Sequence, residues 1–396
     1  MSNYTSHHEA NWLRAFVFTV FMIASIVVSY FPLYYKSLGF NSVQIGLLYS
    51  VGPLVSIVSN LFWGVASDKL RTLKKVIIVL LIGYLIISLA LSQITSFAAV
   101  SSLLIAFYFF YFPIFPLLDS FAIVTAEAEG KSFISIRVFG SIGFAVSGLV
   151  FGFVLGSIGA QYSVWVVIAL GTVSLLLAFR LTDKKAKQTT VKKMEFGGLW
   201  KVLKQREVVL FFLFVLLLAI AHRLNEAFLG LALIELGANE SLVGLAWMLS
   251  AVSEIPIFFL LSAYGDRFKE LPLLAFSCLM FTIRFLLLAV LQDPIWMLST
   301  QVLHSVSFGI FFFVAIRYLS RVIPDEYRST GMAVYTIVWS SIAGLLSGTI
   351  GGVLMQAYGK DVVYYTSTMF ALAASLGFGA LAWYSQRAEG LKSLRK

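Results

Sequence analysis

The chain has 396 residues, 60% hydrophobic and 12% charged, with 29 Lys or Arg against 19 Asp or Glu and a net charge of +10. A soluble domain carries about a quarter charged residues, so a water-soluble globule is excluded and most of the apolar surface must meet lipid. The basic excess does not point to nucleic acid, because the bases gather in alternate loops, the pattern that records orientation in a membrane protein.

The N-terminal stretch "MSNYTSHHEANWLRAF" is polar and shows no small-residue cleavage site behind a short apolar run. The first span is therefore expected to be retained, not removed as a signal peptide, with His7 and His8 in a solvated tail. Apolar runs long enough to cross a bilayer, about 20 residues each, recur twelve times. They cover residues 12–35, 43–66, 75–95, 97–121, 137–158, 162–181, 208–234, 241–264, 271–291, 294–318, 329–356 and 362–384. Cys278 is the lone cysteine, so no disulfide framework exists, and it is expected to be a small core residue.

Lys69, Arg71, Lys74 and Lys75 follow span 2, Lys131 follows span 4, Arg267 and Lys269 follow span 8, and Arg317, Arg321 and Arg328 flank the loop after span 10. Loops on the other side hold only Lys36 and Lys360, which predicts both termini in the cytoplasm of a multi-pass protein of the inner (plasma) membrane. Between Arg180 and Glu207 nine Lys or Arg form the longest polar stretch. It is expected to be a solvated linker on an amphipathic helix rather than a headgroup-binding segment.

The predicted organisation is an all-α membrane protein of twelve transmembrane helices in two six-helix pseudo-repeat halves. Residues 1–181 form the first half, 182–207 a basic cytoplasmic linker, and 208–396 the second half with a short tail. The halves echo each other: "GVASDKL" follows span 2 and "SAYGDRF" follows span 8. Spans 5 and 11 are both glycine-rich, which lets helices approach closely. Two like-oriented halves joined by a linker is the layout of a parallel-repeat transporter.

Eight ionisable residues fall in or at the edge of spans: Asp119, Arg137, His222, Arg223, Glu226, Glu254, Arg284 and His304. Each charge costs about 2.5–3.5 kcal/mol at mid-membrane, so six unpaired ones would cost about 15–20 kcal/mol. They must pair or line water, and three acids against three arginines allow neutrality. Structural bridges are the plain alternative; spread over both halves and accompanied by two histidines, the set favours a solute and proton site. In span 7, His222, Arg223 and Glu226 share one helical face, where a local bridge competes evenly with function. The run "FYFFYFPIF" can supply an apolar wall, lipid-facing packing being the commoner explanation for such rings.

"WGVASDKLRTLKK" resembles the major facilitator superfamily, whose loop after span 2 carries a Gly-x-x-x-Asp-Lys/Arg pattern, here Gly64, Asp68 and Lys69. The resemblance implies a gating role for these and for Asp266 and Arg267 in the second half. Within the superfamily, the lactose permease and phenylpropionate-type permease branch is the likeness over most of the chain. "DSF" with "RVFGSIGF" eighteen residues on implies substrate roles for Asp119 and Arg137. "SAVSEIPIFF", "FTIRFLL" and "VLHSVSF" imply substrate or proton-coupling roles for Glu254, Arg284 and His304, with Glu226 and Asp119 as further candidate proton carriers.

The sequence also departs from that permease. Its glutamate three residues after the histidine is Ser307 here, the lysine three before is Gln301, and the sugar-stacking tryptophan is Phe144. The first two changes remove opposite charges together; the third bears on galactoside specificity.

Burial raises a carboxylate's pKa and a neighbouring arginine lowers it, so switching between the two can load and release a proton. The expectation is an H+-coupled symporter taking up a small organic solute by alternating access around a central charged cavity, with the sugar class favoured. Uptake of an aromatic carboxylate or nucleoside is the alternative, with Arg137 or Arg284 holding the anion, and H+-antiport export of amphiphiles stands behind it. The partners expected are the solute, protons and membrane lipids, with no cofactor beyond the proton gradient, no metal and no nucleic acid. The chain is expected to act as a monomer, since both halves lie in one polypeptide. An enzyme is disfavoured by the lack of an HExxH motif, a nucleophile with a placed base, or a nucleotide loop. A channel is disfavoured by the lack of like-charge rings or a filter motif.

Overall fold

A computed structural model describes residues 3–183, 204–324 and 327–393. Most of the 182–207 linker therefore lies outside the described residues. Among the described residues eleven helical stretches are long and apolar enough to cross a membrane: Glu9–Ser37, Ser42–Leu70, Leu73–Leu91, Phe97–Ala128, Ile134–Ile158, Ala160–Arg180, Arg206–Glu235, Glu240–Leu261, Glu270–Val290, Pro294–Val322 and Thr330–Arg387. The last is 58 residues, nearly three times the roughly 20 that a bilayer needs. It is broken at Gly359, whose φ of 75° and ψ of −171° no helix contains. A residue with a side chain would be strained there, so this glycine turns one stretch into spans 11 and 12. The twelve predicted spans are thus all present, in an all-α membrane fold.

Several spans are helical only in pieces, for reasons written in the chain. Span 4 is two helices, Phe97–Tyr111 and Ile114–Ala128, because Pro113 has no N–H to give and crowds the residue before it. Span 10 opens on Asp293, whose carboxylate accepts from the N–H groups of Ile295 and Trp296. It then passes through a 3-10 segment, Thr300–Leu303, and a π-helical turn, Ser305–Gly309, before continuing as Ile310–Val322. A second π-turn, Ile337–Ile342, interrupts span 11. Such turns recur at functional sites.

Packing divides the chain into two compact units, Met1–Thr190 with Leu229–Met248, and Val191–Phe228 with Leu249–Lys396. Residues 229–248 group with the first unit because span 8 meets span 5 at glycines. A Cβ at Gly148 would touch the Gly244 carbonyl at 3.0 Å, and one at Gly244 would strike the Gly148 carbonyl. Tyr30 donates its hydroxyl to the carbonyls of Gly148 (3.1 Å) and Glu240 (3.4 Å), and Ser241 to that of Gly152 (3.2 Å).

Elsewhere in the first unit, buried tyrosines satisfy their hydroxyls on neighbouring helices: Tyr84 on Val167 O at 2.7 Å and Tyr34 on Leu91 O at 3.1 Å. Three of the "FYFFYFPIF" rings depart from the lipid-facing expectation. Phe107, Tyr108 and Tyr111 are buried, and Phe107 and Tyr111 pack against Tyr84 and each other. Positions 107, 108 and 111 share one helical face, and that face packs on Phe31 of span 1 and Tyr84 of span 3. In the second unit Tyr364 donates to Asn225 Oδ1 at 3.3 Å, and Ser375 to Ala275 O at 2.9 Å. Cys278 is buried in span 9, as expected.

Candidate functional site

In the first unit, span 4 resumes after Pro113 and carries Asp119 two turns later; span 5 carries Arg137 one turn from its start at Ile134. Arg137 Nε lies 3.2 Å from Asp119 Oδ1, with side chains 35% and 41% exposed. The guanidinium also sits over the Phe21 ring at 4.2 Å, a cation–π contact that sequence reading missed. Both charged groups keep valences free for another molecule. Phe144, further along span 5, meets Trp247 edge-to-face with ring centres 6.5 Å apart.

At the end of span 2, Gly64, Asp68 and Lys69 occupy the last two turns, and Arg71 closes the helix in the left-handed conformation (φ 54°). Asp68 lines a groove with Asn60, Ser67, Pro116 and Ser120. Thr72 then caps span 3 by accepting from Lys75 N–H at 3.2 Å, while its hydroxyl donates to the Asp183 carboxylate at 2.6 Å.

The corresponding turn of the second unit, Gly265–Arg267, is fixed from span 10. Arg317 donates to Gly265 O at 2.5 Å and to Phe268 O at 2.8 Å, and Arg321 lies 2.9 Å from Glu270. Arg267 rests on the Tyr264 ring. The Asp266 side chain lies outside the described residues.

The second unit also brings three predicted residues from three spans into one cluster. His304 Nε2 is 2.8 Å from Glu254 Oε1, and Arg284 Nη1 is 2.7 Å from His304 Nδ1. Arg284 is 1% exposed and His304 8%. Arg284 turns its other terminal nitrogen to Gln301 Oε1, which also accepts from Ser250 at 3.2 Å. Glu226 joins a second group: His222 Nε2 is 3.4 Å away, and Arg223 bonds Glu226, Ser340 Oγ (3.0 Å) and the Trp339 carbonyl (3.4 Å). The two groups share Phe308, stacked on His304 at 4.9 Å and on His222 at 4.8 Å. Trp339, within the span 11 π-turn, packs on His222 at 5.4 Å.

Sequence reasoning named the charged members and missed Gln301, Phe308, Trp339 and Ser340. The loss of a lysine at position 301 was the one signal available, and it pointed to a deletion of charge, not to a new acceptor. Among the described residues no group of three or more His, Cys, Asp or Glu side chains is arranged to hold a metal ion. The chemistry on hand is hydrogen bonding to a polar solute and transfer of protons among carboxylates and imidazoles.

The model of the MFS_1 like family matches residues 10–366. An uncharacterised transporter of Bacillus subtilis (strain 168), YwbF, is 25% identical over 387 residues, covering 97% of this chain and 94% of the relative. The maltose permease of Geobacillus stearothermophilus is 25% identical over 355 residues, 88% of this chain and 87% of the permease. The crystal structure of the nucleoside transporter NupG superposes with a TM-score of 0.83 at 16% identity, covering 94% of this chain and 98% of that one, a likeness of fold.

Proposed function

The chain belongs to the MFS_1 like family of major facilitator transporters, and on that premise we propose that it takes up a hydroxyl-rich solute of the sugar class together with a proton, by alternating access. It is a multi-pass membrane transporter of a small solute, not an enzyme. In this reading the termini are cytoplasmic, Asp119 and Arg137 bind the solute, and Glu254 carries the proton with His304 and Arg284 beside it.

The observation that carries the reading is the contact of Glu254 with His304 at 2.8 Å inside a buried cluster, where the acid also lies near a fully buried arginine. A carboxylate in such a place gains or loses a proton as its surroundings change. The half-buried Asp119–Arg137 pair supports the sugar class, because a carboxylate that accepts and a guanidinium that donates match a diol. Similarity to a maltose permease agrees with that class. An aromatic carboxylate is the second reading. Arg137 lying over Phe21 favours it, since an anion on the guanidinium would set an aryl group beside a ring.

The test is solute-triggered proton uptake in proteoliposomes, with a panel of sugars, nucleosides and aryl acids, repeated on Glu254→Gln. Alkalinisation by sugars that disappears in the variant is the expected result. Alkalinisation by aryl acids or nucleosides would replace the substrate class and keep the coupling. Uptake that survives in Glu254→Gln would move the proton to Glu226 or Asp119. Silence from the whole panel, with reduced accumulation of hydrophobic dyes, would establish export.

A further inference from the structure

The polar cluster of the second unit can be given a direction atom by atom. Gln301 Nε2 donates to the Met297 carbonyl and the Thr300 hydroxyl, each at 3.3 Å, which leaves Oε1 as the acceptor for Arg284 Nη2 and Ser250 Oγ. A guanidinium has donors and no acceptor. The nitrogen it meets at 2.7 Å, His304 Nδ1, must therefore carry a lone pair and no hydrogen. A neutral imidazole then holds its hydrogen on Nε2, which faces Glu254 Oε1 at 2.8 Å and donates to it. Every hydrogen in the series from the span 10 backbone to the carboxylate has one possible sense.

We propose that Arg284 and Gln301 are positioning residues that hold His304 as the neutral Nε2–H tautomer, so that the coupling proton lands on Glu254 and not on the imidazole. The proposal rests on the reading of Glu254 as proton carrier and specifies how that reading works. A proton added to His304 would set an Nδ1–H against an arginine N–H. A proton added to Glu254 at Oε2 leaves the Nε2–H···Oε1 bond in place and turns a carboxylate into a neutral acid.

The other titratable or charged groups facing the cluster are His222, Arg223 and Glu226 from span 7 and Tyr364 from span 12. His222 reaches His304 through ring stacking, at 5.8 Å between centres with Phe308 beside both rings, and its Nε2 is turned to Glu226. None of these offers His304 an acceptor for a second proton. The glutamine also acquires a reason. A lysine at position 301, as in the permease the sequence resembles, has no acceptor and would repel Arg284 instead of aiming it.

The tautomer is read directly by nitrogen NMR of the full-length protein labelled at histidine, in lipid nanodiscs, with His304→Asn assigning the signals. One protonated and one unprotonated nitrogen, the proton on Nε2, are expected throughout the range where free histidine titrates, about pH 5 to 8. In Arg284→Met and in Gln301→Leu, which removes the acceptor without adding charge, the Nε2–H population falls and an imidazolium signal grows at the acid end. An imidazolium or an Nδ1–H tautomer in the unmodified protein overturns the proposal, and this spectrum decides even where a variant fails to fold.

Proton uptake by Glu254→Gln keeps the two claims apart. A fixed tautomer with uptake surviving in that variant removes the transport reading and leaves the lock. A cationic His304 with uptake lost in the variant does the reverse.

Discussion

Asp119 and Arg137 face each other with roughly two-fifths and a third of their side chains exposed, whereas Arg284 is 1% exposed and meets its partners on every terminal nitrogen. Both sites hold an acid and an arginine. They differ in how many hydrogen-bonding valences remain. The first pair has valences to spare and is only half-buried, so it is expected to contribute little to stability, near the ~0–1 kcal/mol of ion pairs open to water. In the second cluster both terminal nitrogens of Arg284 are taken, its Nε alone lacking a partner, and leaving a further buried member unpartnered costs about 1–3 kcal/mol. Spare valences suit a site that meets a solute; filled ones suit a site that changes only when a proton arrives.

The largest effect that would break this contrast is at Glu254. Glu254→Gln is expected to abolish solute-driven proton uptake while solute exchange across the membrane, which needs no net proton movement, persists. Loss of both would mean that Glu254 binds solute as well, and the division of labour between the sites would fall.

Next in size is Arg284→Met. It strips donors from Gln301 Oε1 and His304 Nδ1 and leaves Glu254 without its nearby cation. Gln301 Oε1 keeps the Ser250 hydroxyl, so His304 Nδ1 is the group orphaned, and a loss of about 1–3 kcal/mol is expected, read as a lower thermal midpoint in detergent or nanodiscs. Asp119→Asn should show the opposite pattern. Solute affinity falls about 10- to 100-fold, as for a charged hydrogen bond worth about 1.5–3 kcal/mol, with the midpoint nearly unchanged. Equilibrium binding and a melting curve on one preparation separate the two behaviours.

The legible part of the molecule was the part that lipid penalises. A charge in a span costs kilocalories, so Asp119, Arg137, Glu254, Arg284 and His304 stood out from apolar neighbours, and the structure gathers the last three together. Twelve spans were legible for the same reason. Neutral residues carry no such penalty. Gln301, Phe308 and Trp339 looked like ordinary members of their spans, although they aim Arg284, pack on both imidazoles and pack on His222. The π-turns at 305–309 and 337–342 left no mark either, because one hydrogen bond shifted by a residue needs no glycine or proline to announce it. The groupings were harder still. Residues 229–248 pack with the first unit through glycine contacts whose consequence depends on which helix is opposite, and a single sequence does not say.

The smallest predicted effect is the most direct measure of the contrast. A double-mutant cycle on stability, with Asp119→Ala, Arg137→Ala and the pair, is expected to return a coupling of about 0.2–1 kcal/mol, the range of exposed ion pairs. Arg137 keeps its hold on Phe21 when Asp119 is removed, so the single variants should also be mild. A coupling of about 3 kcal/mol or more would instead mark a buried structural bridge. Asp119 and Arg137 would then be bound too firmly to each other to exchange partners with a solute, and the solute would have to be held by other groups. A small coupling together with the affinity loss of Asp119→Asn leaves the pair as a place where a solute's hydroxyls or carboxylate substitute for water, at little cost to the helices that carry it.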